Sequence, residues 1–219
     1  MRSVGCVAVV AASLVAAGLP VGCSDQGESP RMGRMREIRN AARRGGDDAA
    51  SRIERAAADA DGALAIEAVL ALGRMREEAA RAALRRVVGN EQRESVRAAA
   101  VRALGSRPTG VSDTESVAVL RRVASTDSAP AVRAEAAAAV GKVGTLDDVP
   151  FLADLAAADP SVAVQSRAVG AVEVLTGYRF PYDSRASDQE RRETLERLKE
   201  DACRIAAFQK RFEQQETER

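Results

Sequence analysis

The sequence predicts an all-α protein, an α-solenoid of about four helical hairpins that ends in a C-terminal capping helix. Two observations carry this prediction. Four ten-residue blocks align without gaps and begin at Leu64, Val96, Val132 and Val164, so their starting positions differ by 32, 36 and 32 residues. A second apolar stretch precedes each block. A period of this length, with helical patterning inside each unit, is typical of stacked repeats that bury their apolar stripes jointly.

Each block has apolar residues at its first, sixth and ninth positions among many alanines, which is the pattern of a helix buried along a wide stripe. Aromatic residues make up only 3% of the chain, so the core must consist mainly of Ala, Val and Leu, and its helices must approach closely. The preceding apolar stretches, at about 49–58, 77–88, 115–124 and 148–158, predict the first helix of each hairpin. Gly73, Gly105 and Gly141 end three of the blocks, where we expect helix C-caps.

Two of the units share a further feature, an acidic residue in the turn followed six residues later by Arg. The pairs are Glu91 with Arg97 and Asp127 with Arg133. With its helix, turn and helix, the unit resembles a HEAT repeat of the short bacterial type often called PBS-lyase HEAT-like. The resemblance implies that these four residues belong to a ladder of ion pairs between stacked repeats.

The other two units depart from this pattern. They keep the acid, as Asp59 and Asp159, but carry Ala65 and Gln165 where Arg is expected. The ladder is therefore expected to be interrupted towards both ends of the repeat region, which spans about residues 47–177.

The C-terminal part, residues 178–219, resembles the closing element of HEAT-like proteins, an aromatic loop followed by a final helix. From about Asp188 to Thr217 the chain reads as one long charged helix. Its apolar positions follow a short heptad seam and are Leu195, Leu198, Ala202, Ile205 and Phe212. A seam of this length either docks on the solenoid or pairs with a second helix.

The N-terminal residues 1–22 predict a signal peptide, since Arg2 is followed by an apolar run that is too short for a permanent membrane span. The stretch LPVGC, residues 19–23, resembles the lipobox of bacterial lipoproteins, which implies acylation of Cys23. Pro20 stands where that pattern usually has Leu or Val. Ordinary cleavage near residues 16–18, which releases a soluble exported protein, is the alternative. Both interpretations place the protein outside the cytoplasm, and the first anchors it on the periplasmic side of the cell envelope.

Residues 23–46 are interpreted as the acylated cysteine, a flexible tether to about residue 35, and a basic segment. Residues 31–44 hold six Arg and one Glu. This segment is either attracted to anionic lipid headgroups or forms an amphipathic capping helix whose Met35 and Ile38 cover the first repeat. The lone Cys203 is expected to be a small buried hydrophobe, with a disulfide to Cys23 as the alternative if Cys23 is not acylated.

The composition excludes several kinds of chemistry. The chain has no His, so a His-based triad and an imidazole metal site are excluded. We expect no catalytic residues, no metal and no cofactor. Without residues 1–22 the chain has 32 basic and 32 acidic residues, which argues against nucleic acid as a ligand.

These observations predict a non-catalytic scaffold that binds an unidentified protein partner and is held at the membrane by its lipid anchor. The resemblance implies that the second helices line the concave side of the stack, where the candidate partner surface comprises Glu67, Arg102, Glu135 and Arg167. The alternative function is that of a structural subunit that self-associates through its C-terminal helix. The sequence leaves the oligomeric state open.

Overall fold

The computed structural model describes residues 29–106 and 113–217. Within these ranges the chain forms helices and no strands. The helices are α1 (Pro30–Arg44), α2 (Asp47–Ala57), α3 (Gly62–Arg74), α4 (Glu78–Asn90), α5 (Glu94–Leu104), α6 (Thr114–Thr126), α7 (Pro130–Val143), α8 (Val149–Ala158), α9 (Val162–Thr176) and α10 (Asp188–Thr217), with a short 3-10 turn at Leu146–Asp148. The predicted all-α class is confirmed.

The helices stack as hairpins in two layers. The four predicted hairpins are α2 with α3, α4 with α5, α6 with α7, and α8 with α9. Their second helices pack on one another in the order α3, α5, α7 and α9, and α1 extends this layer by packing on α3. The first helices α2, α4, α6 and α8 form the other layer, which α10 extends by packing on α8. The fold is therefore the predicted solenoid, with one additional helix at each end.

The two layers differ in how tightly they are packed. Neighbouring second helices contact each other more extensively than neighbouring first helices, above all α7 with α9, whereas α6 touches α4 and α8 at few positions. A layer in which helices lie closer together forms the inner side of a curved stack. This difference favours the second helices as the concave side.

The first helix corrects the predicted tether. Pro30 begins α1, and the Ser29 hydroxyl caps it by accepting a hydrogen bond from the Met32 N–H at 3.4 Å. Residues 30–35 are therefore helical, because Pro fits the first helical position and Ser is a favoured N-cap. Ile38 is buried and Met35 packs against the core, so the basic segment forms the capping helix that was one of the two alternatives.

The glycines at the ends of the second helices have another role than the predicted one. Gly73 and Gly141 lie inside α3 and α7, and although Gly105 is the C-cap of α5, its φ is −80°, which any residue adopts. A Cβ atom on Gly141 would lie 2.6 Å from the Cβ of Ala171 in α9. At Gly105 and Gly73 the distances to the next helix would be 2.4 and 3.0 Å. These glycines let neighbouring second helices approach closely, so the C-cap prediction was wrong for Gly73 and Gly141.

The C-terminal segment closes the stack as predicted. Phe180 and Tyr182 of the connecting loop pack against the core, whereas Tyr178 is 53% exposed. Helix α10 spans the predicted residues and buries Leu195, Leu198, Ala202 and Ala206 against the solenoid. The predicted seam thus docks on the stack in its first half. In the part of the chain that the structure describes, no helix is long and apolar enough to cross a membrane.

Candidate functional site

Two arginines join three consecutive repeats through ion pairs. The Nε and Nη2 atoms of Arg97 donate to the two carboxylate oxygens of Asp127 at 2.7 and 2.8 Å. Arg133 binds Asp159 of the next repeat in the same way, at 2.7 and 3.0 Å. The carboxylates of Asp127 and Asp159 are only 8% and 5% exposed. A parallel pair of hydrogen bonds to a shielded carboxylate is the strongest form of such contacts, so these rungs link the repeats firmly.

Each rung also fixes the turn from which it starts. The Nη1 atom of Arg97 donates to the Glu91 carbonyl at 3.1 Å, and that of Arg133 donates to the Asp127 carbonyl at 2.9 Å. Asp159 accepts in addition from the Ser161 N–H at 2.8 Å. Because the acid and the Arg are six residues apart, the Arg side chain lies against the turn of its own repeat. Its guanidinium group also reaches the acid in the turn of the next repeat.

The rung towards the N-terminal end is built differently, because Ala65 stands in place of Arg. Glu91 is bound by Arg93 of its own turn, with the Nη2 atom 2.8 Å from Oε2. The same guanidinium reaches back to the first hairpin, where it donates to the carbonyls of Asp59 at 2.6 Å and Ala57 at 3.1 Å. Arg93 thus links the first two hairpins in the reverse direction. Sequence reasoning missed this residue, because it lies outside the six-residue pattern.

At the C-terminal end of the repeats, hydrogen bonds to the closing loop replace the Arg–Asp ion pairs of the ladder. Gln165 occupies the position of the missing Arg, and its Nε2 atom donates to the Asp159 carbonyl at 2.9 Å. Its Oε1 atom accepts from the Tyr182 hydroxyl at 2.9 Å. Glu173, which stands where the other blocks have Gly, accepts from the Phe180 N–H at 2.9 Å. Gln165 and Glu173 therefore bind the closing loop, in the place where the other units bind a further repeat.

The ladder carboxylates are held in their ionised form. Burial raises the pKa of Asp127 and of Asp159, but the hydrogen bonds from Arg97 and Arg133, and from the backbone N–H groups that they face, outweigh it. The pKa of each carboxyl is therefore lowered from its ordinary value. A carboxylate that stays charged at neutral pH cannot serve there as a proton donor, so the role that the geometry gives these residues is to link the repeats.

Three of the four residues of the candidate partner surface lie in ion pairs between second helices. Glu67 of α3 accepts from Arg39 of α1 at 2.8 Å, and Arg102 of α5 lies 3.4 Å from Glu135 of α7. Arg167 of α9 is exposed, and within the described residues it has no ion pair. Of the predicted surface, Arg167 is therefore the residue most available to a partner.

The surroundings of Arg167 add exposed apolar groups that sequence reasoning did not assign to this surface. Val174 lies seven residues further along α9 and is 66% exposed, and Tyr178 follows after the end of the helix. Residues seven apart lie on one face of a helix, with the small Gly170 between them. Lys142, at the end of the neighbouring α7, is also exposed. We call Arg167, Val174, Tyr178 and Lys142 the α9 surface.

One cleft in the described part of the stack offers no unoccupied polar side chains. It has a volume of about 540 Å³, opens between α6 and α8, and is lined by Phe151 and Leu155. Its polar lining side chains already have partners: Arg133 binds Asp159, Asp127 binds Arg97, Asp154 binds Lys199, and the Ser125 hydroxyl donates to the Arg121 carbonyl. A ligand in this cleft would find an apolar wall but no free anchoring group.

Reactive and metal-binding side chains are sparse in the described ranges. No group of three or more acidic or Cys side chains there could hold a metal ion. Cys203 is partly buried and without a disulfide, and burial together with the charge of Asp154 raises the pKa of its thiol. A thiol with a raised pKa is a poor nucleophile at neutral pH. Cys23 and the predicted signal peptide lie outside the described residues.

Comparison with known proteins finds a similarity for the central repeats. No curated protein matches the chain. A family model described as HEAT repeats matches residues 90–173. This range contains both complete Arg–Asp rungs and extends from the end of α4 into α9. Residues 90–173 are therefore similar to HEAT repeats, and they form the central part of an all-α solenoid.

Proposed function

We propose that this chain is a non-catalytic scaffold that binds another protein in the bacterial cell envelope and is held at the membrane by acyl chains on Cys23. HEAT repeats commonly mediate interactions between proteins. The observation that carries the proposal is the α9 surface, since it exposes cationic and apolar groups together on the tightly packed layer. Scattered apolar residues are normal on a protein surface, but a cluster beside unpaired cations marks a contact site.

The charge of the α9 surface defines the kind of partner. Arg167 and Lys142 have no ion pair within the described residues, and Arg179, which pairs with Glu173 at 3.1 Å, is 92% exposed. The complementary partner is an acidic protein segment that also carries apolar side chains for Val174 and Tyr178. Charges at the border of such an interface would steer the partner, and the apolar centre would hold it.

We expect a photo-crosslinking amino acid at position 174 to capture a specific envelope protein in living cells, because Val174 is exposed at the centre of the proposed surface. Arg167→Glu in the same protein should lower the yield of that product at least fivefold, since it reverses the charge that faces the acidic partner. The yield is measured by immunoblotting, and the captured protein is identified by mass spectrometry.

Arg122 provides the matched control, because it is an exposed arginine on α6 of the opposite layer and has no ion pair within the described residues. A crosslinker at position 122 should not give the product, and Arg122→Glu should leave the yield from position 174 unchanged. Equal capture from both positions would contradict the α9 surface as the binding site.

The anchor is supported by the sequence around Cys23 and by the position of α1. Ser29 follows Cys23 after five intervening residues, and this stretch spans at most about 22 Å. Acyl chains on Cys23 would therefore hold the α1 end of the stack near the bilayer. The headgroup role of the basic segment is weaker than the sequence indicated. Arg31, Arg34 and Arg39 of α1 pair with Asp61, Asp59 and Glu67 of the first hairpin.

Cys23→Ala is expected to move the protein from the detergent-requiring membrane fraction to the soluble exported fraction, or to leave it unprocessed. Washing wild-type membranes with 1 M salt should not release the protein, because salt shortens the Debye length to about 3 Å but does not extract acyl chains. Fractionation and mass spectrometry of the N-terminal peptide measure both results. Release of the wild-type protein by salt, or an unmodified Cys23, would favour the soluble exported alternative.

A further inference from the structure

Helix α10 occupies the position of a first helix, and in the described residues no second helix follows it. Each earlier first helix packs on the second helix that follows it in the chain. Helix α10 packs mainly on α8 and reaches α9 only near its C-terminal end. There the Gln209 side chain donates to the Thr176 carbonyl at 2.9 Å. In the described residues, one side of α10 is therefore left without a helical neighbour.

This open side carries a strip of apolar residues. Phe208 is 63% exposed and Phe212 is 56% exposed, and both are aromatic residues four positions apart. Ile205, three residues before Phe208, is half-buried. The buried residues Ala202 and Ala206 lie on the adjacent face of the same helix. The spacing of Ile205, Phe208 and Phe212 is that of alternating a and d positions in a heptad, which another helix of the same pattern would fill.

The end of α10 also extends beyond the helix on which it packs. Lys199 pairs with Asp154 of α8 at 2.7 Å, and Lys210 pairs with Asp147, which precedes the start of α8. Residues 211–216 are all exposed. The seven residues 211–217 would span about 10 Å of helix. Phe212 lies on this end, so part of the strip projects beyond α8.

We propose that this strip binds the same strip of a second copy, so that the protein forms a twofold dimer through α10. Charged residues of both signs border the strip, namely Asp201, Arg204, Arg211 and Glu216. A border of mixed sign is not complementary to a uniformly charged partner, but it can pair with its own copy. A second copy also supplies a seam of identical spacing, as a twofold interface requires.

The size of the strip sets the strength of the dimer. Phe208 is 63% and Phe212 is 56% exposed, so each offers only part of the roughly 150–250 Å² that a fully buried aromatic side chain contributes, and four of them supply roughly 360–600 Å². The bordering residues must supply the rest of the area of about 1,000 Å² that a specific interface needs. We therefore expect a weak dimer, whose formation is tested over the micromolar range. The proposal is independent of the α9 surface and of the anchor, because α10 lies in the other layer and at the end of the stack opposite α1.

The experiment measures the molecular mass of the full chain by sedimentation equilibrium over a concentration series, in mild detergent with micelles in large excess. The wild-type protein should change from monomer to dimer as its concentration rises through the micromolar range. Phe208→Glu with Phe212→Glu should weaken dimerisation at least tenfold. The circular dichroism and melting temperature should stay those of the wild type, since both side chains are exposed. Phe212→Leu keeps an apolar group at this position and should retain the dimer.

Tyr178→Glu is the control for exposed apolar groups elsewhere, and it should leave the dimer intact while it impairs capture at the α9 surface. A wild-type protein that stays monomeric up to about 100 µM would overturn the proposal, and so would a double variant that dimerises as the wild type does. The variants of α10 should still crosslink to the envelope partner through position 174, so failure of the dimer and failure of the proposed scaffold are distinguishable.

Discussion

Gly141→Ala is expected to destabilise the protein by about 2–3 kcal/mol, the upper part of the range for overpacking a close-packed core. The added Cβ would lie 2.6 Å from the Cβ and 2.7 Å from the Cα of Ala171. One of these neighbours is backbone, so no side-chain rotation can relieve the contact, and α7 and α9 must move apart. The midpoint and slope of urea unfolding, followed by circular dichroism, give the change in free energy.

Gly170→Ala is the matched control, because Gly170 lies within α9 and a Cβ there meets no atom within 4 Å. The same chemical change should stabilise the protein by about 0.5–1 kcal/mol through the higher helix propensity of Ala. The change in unfolding free energy for Gly73→Ala should lie between those of Gly141→Ala and Gly170→Ala, since its Cβ would lie 3.0 Å from a side-chain atom. If Gly141→Ala stabilises as much as Gly170→Ala does, α7 and α9 are not as close as the structure places them.

The repeat period predicted the fold because it is a direct consequence of stacking. Four aligned blocks predicted the four second helices, and the apolar stretches before them predicted the four first helices to within a few residues. The role of Gly141 was not predictable in the same way. A glycine at a helix end either forms a left-handed C-cap or allows close contact with a neighbouring helix. Both roles require glycine, so the sequence alone does not distinguish them.

The ladder was predictable in its residues but not in its connections. The resemblance singled out Arg97, Asp127 and Arg133, and the structure shows which atoms of which repeats they join. The two ends of the ladder were not predictable, because they use other residue types. Arg93 reaches carbonyls more than thirty residues away, and Gln165 receives its hydrogen bond from Tyr182 of the closing loop. Such contacts depend on the three-dimensional stack and leave no fixed spacing in the chain.

Arg133→Ala is expected to destabilise the protein by about 3–5 kcal/mol, the usual cost of leaving one partner of a buried ion pair uncompensated. Asp159 would lose both guanidinium hydrogen bonds, and in the wild type its carboxylate is only 5% exposed. The Asp127 carbonyl would lose its donor as well. Urea unfolding at pH 7 measures the loss.

A second substitution shows that the buried charge is responsible. Asp159→Asn in the Arg133→Ala background should restore part of the stability, since Asn carries no charge but can still accept from the Ser161 N–H. Arg102→Ala should cost less than about 1 kcal/mol, because exposed ion pairs contribute little. Its partner Glu135 lies at 3.4 Å, and the Arg102 side chain is 58% exposed. Equal losses for Arg102→Ala and Arg133→Ala would contradict the special role of the ladder.

The pH dependence of the unfolding free energy should also distinguish the wild type from Arg133→Ala. The pKa of Asp159 in the folded wild type is lowered, because the bonds from Arg133 and Ser161 outweigh the effect of burial. Its contribution to stability is therefore fully present above the unfolded pKa of about 3.9 and is lost as the pH falls through the lower folded pKa. In Arg133→Ala the effect of burial is no longer offset by the arginine, so the folded pKa rises. The variant then gains stability relative to the wild type as acid neutralises its carboxyl group. Unfolding at pH 7, 4.5 and 3.5 should show the difference in unfolding free energy between the two proteins narrowing as the pH falls. A constant difference over this range would show that the lost stability does not come from the charge of Asp159.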